Sequence, residues 1–164
     1  MKAFAIRTLT AGEATLARET FGKALHLARV RILPLPWPFN RAFVPGRWFG
    51  RDWVLWPARS LPADFAVASV HLQGVLMHEL THVWQAQRGV NLLLGKLRAG
   101  DSPQAYAYAV EPGLRWETLN IEQQAMVVEH QFRLKHGRAA PGDAAFYQAV
   151  CPFGCSAEGL RRNA

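Results

Sequence analysis

His78 and His82 stand four residues apart in the run VLMHELTHVWQAQ, with Glu79 next to the first, and together they spell H-E-x-x-H. On a helix that spacing sends both imidazoles out of one face about one turn apart, where they can share one zinc ion. Glu79 is badly placed to ligate the same ion. It can instead reach a water held there, which is where a zinc hydrolase keeps its general base. Leu72, Val75, Leu76, Leu80 and Val83 recur at intervals of three and four, Gly89 sits at a C-terminal stop, and no Pro interrupts residues 69–88. The spacing therefore predicts a helix there. Two histidines and a glutamate on a packed helix need partners. The plainer alternative is that neighbours satisfy them by hydrogen bonds alone.

Catalytic zinc usually takes three protein ligands and leaves a fourth place for water. The extended pattern H-E-x-x-H-x-x-G-x-x-H does not supply the third, because Gln85 stands at its Gly and Arg88 at its last His. A second predicted helix offers carboxylates. Asn120 is a good N-cap with Gln123 at the capping-box position, and Gly137 follows Lys135 and His136 as a stop, so residues 121–136 have both ends marked. Glu122 and Glu129 lie seven apart on one face of it, flanking Ala125. Glu122 is preferred as third ligand, since the small Ala125 lets the two helices approach. Glu129 then accepts a hydrogen bond from a ligand histidine, or is itself the alternative ligand. An ordinary surface ion pair stays open for either, and Glu117 lies before the helix. Tyr106 and Tyr108, with His130 near them, are candidate donors to a developing oxyanion, although strand tyrosines more often pack. One zinc ion per chain is the expected cofactor; a His-His-Glu set also accepts other divalent ions.

Positioning these residues is the task of an α+β domain. With 164 residues, half of them hydrophobic, the chain reads as one domain, 1–164, with a core over about 10–137 and a C-terminal extension over 138–164. Thr10 and Glu13 form a capping box ahead of an apolar stripe through Leu16, Ala17, Phe21, Ala24 and Leu25. Residues 28–33 alternate as a strand. Three prolines in LPLPWPFN make the following stretch a rigid loop. Segments 41–44, 47–49 and 52–56, with a Pro45-Gly46 turn, read as small antiparallel pairings, in a sheet expected to be antiparallel or mixed beside the HExxH helix and a C-terminal ligand-bearing helix. Residues 89–103 read as a loop with one helical turn, and 106–110 as a strand.

The formal charge of +7 favours anionic partners. No basic stripe with interleaved aromatics accompanies it, so nucleic acid is not an expected partner. Arg7 and Glu13 break the N-terminal apolar run, and no stretch has the length of a membrane span; the expectation is a cytoplasmic protein without a cleaved leader, with leaderless secretion left open. Cys151 and Cys155, in CPFGC, are expected as reduced thiols without an assigned role.

Three segments, NRAFVPGRWFGRDWVLWP, QGVLMHELTHVWQAQ and NIEQQAMVVEH, resemble the family of Vgr-related proteins. That family is similar to the small HELTHxxQ domains found beside bacterial toxin and contractile-injection loci. Ala42-Phe43-Val44-Pro45-Gly46 matches the A-F-x-x-G run that precedes their motif helix, and Gln85 matches their Gln. The resemblance covers about residues 20–135. It implies a zincin-like metallopeptidase fold, ligands His78 and His82, and catalytic Glu79. The expected function is zinc-dependent peptide-bond hydrolysis, with a polypeptide substrate lying along a strand edge near Phe43 and Val44. Secretion-system components are further expected partners. Two alternatives are a non-catalytic secretion-system adaptor or cargo module with a structural metal, and a cell-wall peptide amidase.

Overall fold

A computed structural model of the chain describes residues 5–153. Helix α1 (Ala11–Phe21) precedes strands β1 (Val30–Leu35), β2 (Phe43–Trp48) and β3 (Arg51–Pro57); helices α2 (Val70–Gln87), α3 (Leu92–Ala99), α4 (Pro103–Tyr106), α5 (Ile121–Lys135) and α6 (Ala144–Val150) follow. Both predicted capping boxes form, at Thr10 with Glu13 and at Asn120 with Gln123. Ser69 caps α2 by accepting from the Leu72 amide.

The sheet is mixed, one of the two arrangements expected of it. Its order is β1-β3-β2, with β1 parallel and β2 antiparallel to β3. Pro34 lies inside β1, which the proline-rich loop reading excluded. An edge strand tolerates it because only one side must supply donors; the outer side of β1 is touched by Arg7, bridged to Ile32. Pro45-Gly46 is likewise not a turn. Pairing shifts from Phe43↔Leu55 to Gly46↔Trp53, so an extra residue bulges within a continuous β2. The actual hairpin turn is Phe49-Gly50, both with positive φ (52° and 69°), as a two-residue loop between twisted strands requires. Phe49 is 96% exposed and packs little there. Phe49→Asn is expected to stabilise the fold by about 0.5–1 kcal/mol, read as a higher urea midpoint, because Asn adopts the left-handed region at lower cost.

Helix α2 is the centre of the molecule. It packs on the sheet on one side and on α5 on the other, and Leu76, Met77, Leu80 and Val83 are fully buried. Each such side chain contributes roughly 1.5–3 kcal/mol, which fixes the helix although His78, Glu79 and His82 are buried with it. Two expectations fail next. Residues 92–99 are a full helix capped by Asn91 and ended at Gly100, not a loop. Residues 106–110 are not a strand: Tyr106 ends α4, started by Pro103, and no strand of the sheet lies beside them for pairing.

Beyond residue 137 the chain still builds core. Tyr147, Val150 and Phe153 join the buried cluster, and the Phe153 ring meets Phe21, Trp84 and Trp116 edge-on. Cys151 is buried, and Cys155 lies outside the described residues. Among the described residues no helix is long and apolar enough to cross a membrane.

Candidate metal centre

Small residues let α2 and α5 meet closely. Ala125 is fully buried, and a Cβ at Gly74 would stand 3.3 Å from Arg133 and 3.4 Å from the Glu129 side chain. Across this contact Glu122 Oε2 lies 3.2 Å from His78 Nε2 and 3.1 Å from His82 Nε2. His78, His82 and Glu122 are all buried and form the candidate metal-holding group among the described residues.

The other ring nitrogens bear on which tautomers a bound ion would meet. His82 Nδ1 is 2.8 Å from Gln85 Oε1. The Gln85 amide nitrogen donates to Ile121 O and Gln124 Oε1, which turns its oxygen towards the histidine. His78 Nδ1 lies 3.1 Å from Glu129 Oε2, and Glu129 is in turn paired with Arg133. His82 Nδ1 thus faces an acceptor, and His78 Nδ1 lies within ion-pair distance of Glu129 without making a hydrogen bond. With one proton kept on Nδ1 of each ring, both Nε2 atoms would be left to an ion beside Glu122.

The residues fit a divalent ion. Ligand bonds of about 2.05 Å in a tetrahedron put donors roughly 3.3 Å apart, close to the two distances found here. The three donors open onto a cavity of about 520 Å³, lined also by Glu79, Tyr106 and Glu129. Glu79 is 6% exposed, and its Oε2 is buried without a hydrogen-bond partner among the described residues. A buried carboxylate oxygen left unsatisfied is costly and points to a ligand.

Tyr106 lines the cavity with its ring stacked on that of His78, centroids 6.4 Å apart. Tyr108 is not among the cavity-lining residues; its hydroxyl bonds to His130 Nδ1 at 2.6 Å and to the Tyr147 hydroxyl at 2.9 Å. Gln85, Arg133 and Lys96 complete the surroundings, and sequence reasoning gave none of them a role. Lys96 Nζ stands 3.7 Å from the second oxygen of Glu122. Gln85 was findable beforehand, three residues after His82 and hence on the same helix face, and so was Arg133, four residues after Glu129; Lys96 was not.

Without metal, burial pushes His78 down, but its contacts with Glu122 and Glu129 and the nearby Glu79 charge outweigh this and raise it to about 9. Burial also acts against ionised Glu122, and the two histidines still hold it well below the usual carboxylate range. Burial raises the Tyr106 hydroxyl, which stays protonated. Metal uptake must therefore displace a proton from His78. Affinity for zinc is expected to rise by up to tenfold per pH unit between pH 6 and 8, with nearly one proton released at pH 7. Calorimetric zinc titrations in buffers of different ionisation enthalpy measure this, and Glu129→Gln should reduce the release.

No family model matches the chain. It is 36% identical over 145 residues to the type VI secretion system spike protein VgrG2b of Pseudomonas aeruginosa; the match takes in 79% of this chain and 13% of VgrG2b. The solved effector domain of P. aeruginosa VgrG2b has a TM-score of 0.64 at 33% identity, covering 80% of this chain and 76% of that domain. At that identity over most of both chains, the protein belongs to the family of the VgrG2b effector domain.

Proposed function

We propose that this domain is a zincin-like, zinc-dependent metallopeptidase acting as an effector module of a type VI secretion system. The observation that carries the reading is the convergence of His78 Nε2, His82 Nε2 and Glu122 Oε2 beside the unpartnered Glu79 oxygen in one cavity. Three protein donors facing open space suit catalysis, whereas a structural site is closed by four. Kinship with a spike-protein effector domain supports delivery through that system, with its components as partners.

His78, His82 and Glu122 would hold the ion, with Gln85 and Glu129 orienting the two imidazoles. A bound zinc ion would supply a Lewis acid that brings a water towards neutrality and polarises a carbonyl. Glu79 would take the proton from the attacking water and return it to the leaving nitrogen. Tyr106, protonated and beside His78, is the tyrosine placed to donate to the developing oxyanion. Polypeptide would enter along β2, an edge strand whose preceding residues Asn40, Arg41 and Ala42 line the cavity. Incubation of the zinc-loaded protein with an unfolded polypeptide such as reduced, alkylated casein tests this. Wild type should cleave it and the chelated protein should not; no cleavage by stoichiometrically loaded protein would leave an adaptor module as the better account.

A further inference from the structure

Next to the metal-facing cavity lies a second one of about 290 Å³, lined by Ser69, Val70, His71, Arg133, Arg138 and Ala139. His71 lines both, so the two adjoin. The charge on their walls differs. Glu79, Glu122 and Glu129 line the first together with Arg41 and Lys96, and no carboxylate lines the second. Arg133 is fixed there by Glu129 and by a 2.8 Å contact to His71 Nδ1, while its Nε is buried with no hydrogen-bond partner among the described residues. The Arg138 side chain is exposed and has no ion pair among the described residues.

Distance relates this basic pocket to the proposed chemistry. His71 precedes His78 by seven residues, two turns, so the two share a helix face at an axial separation of about 10.5 Å. An extended peptide advances about 3.3 Å per residue. A chain held at the metal centre would therefore bring the residue about three places from the reacting bond against Arg133 and Arg138.

We infer that the His71, Arg133 and Arg138 pocket is a carboxylate subsite, selecting polypeptides with an acidic group about three residues from the bond cleaved. This rests on the peptidase reading for its register but not for its existence as a binding site. A carboxylate there gains the Arg138 cation, which has no ion pair among the described residues, and a hydrogen bond from the unpartnered Nε of Arg133, whose charge Glu129 already shares; a lysine side chain meets like charge at Arg138. The matching group is either an Asp or Glu side chain or the C-terminal carboxylate of a short peptide.

The test uses fluorescein-labelled peptides of eight residues in which one Glu is moved stepwise through a neutral Gln, Ser and Ala background, each made with a free and an amidated C-terminus. Binding is measured by anisotropy on zinc-loaded Glu79→Gln protein, so that it does not depend on turnover; cleavage is measured on wild type. A Glu at one position should strengthen binding about tenfold over Gln, and raise kcat/KM similarly. Arg138→Gln should bring that ratio near one, and Arg138→Glu should reverse it in favour of Lys at the same position. A requirement for the free C-terminus instead of an internal Glu would assign the pocket to the terminal carboxylate. Equal binding of Glu and Gln peptides at every position, with either terminus, or a preference that survives Arg138→Glu, overturns the subsite. Selective binding without any cleavage by wild type would sink the peptidase reading and leave the subsite standing.

Discussion

Glu79→Gln should lower kcat/KM on an unfolded polypeptide by about 10²–10⁴-fold while the protein still takes up one metal ion per chain. In barrier terms that is roughly 3–5 kcal/mol. Gln keeps the size and polarity of the side chain but cannot accept a proton from water. The substitution leaves the donor set alone, since His78, His82 and Glu122 make their contacts without Glu79. Nor should it harm the fold. One Glu79 oxygen is already buried without a hydrogen-bond partner, and replacing it in the metal-loaded protein by a neutral group of the same size changes stability little, within about 1 kcal/mol. Lost cleavage with a nearly unchanged Tm is therefore the signature of a residue kept for chemistry. Activity that survives the substitution means another group takes the proton.

Local signals written over a few residues were the legible part of this protein. The caps at Thr10 and Asn120, the stop at Gly137, and the four-residue spacing of His78 and His82 all belong to single helices, where period and chemistry act together. What failed was decided by neighbours. Pro34 looked incompatible with a strand until β1 proved to be an edge. Pro45-Gly46 looked like a turn, but a bulge uses the same residues, and the register across β3 is not visible along β2. Tyr106 and Tyr108 alternated as a strand with no sheet beside them to join. The surroundings of the site were hidden for the same reason. Glu129 meets His78, and Lys96 meets Glu122, only because α5 lies against α2 and α3, whereas the Glu129–Arg133 pair is an i,i+4 contact within α5. Helix α3 was legible and was missed: Asn91 and Gly100 mark both of its ends.

Glu122→Ala is expected to abolish metal retention through gel filtration, whereas Glu129→Ala should keep the metal with affinity lowered about 10–100-fold. The difference follows from which nitrogens each carboxylate meets. Glu122 Oε2 is almost equidistant from the Nε2 atoms of both histidines, at 3.2 and 3.1 Å, so an ion among them touches all three residues. Of the two histidines Glu129 meets only His78, at Nδ1, on the far side of the ring from that meeting point. It can orient the imidazole and raise its basicity, but it cannot share an ion with His82. Heat stability gives an independent readout. An ion that binds only the folded protein, present at about a thousand times its Kd, contributes roughly 4 kcal/mol, and a domain of this size gains about 2–4 °C in Tm per kcal/mol. A chelator should therefore lower the wild-type Tm by roughly 8–16 °C, lower that of Glu129→Ala by somewhat less, and leave Glu122→Ala unmoved. If Glu129→Ala is the variant that ignores the chelator, the roles of the two glutamates are exchanged. If wild type ignores it as well, the converging imidazoles and carboxylate are only a buried hydrogen-bond cluster.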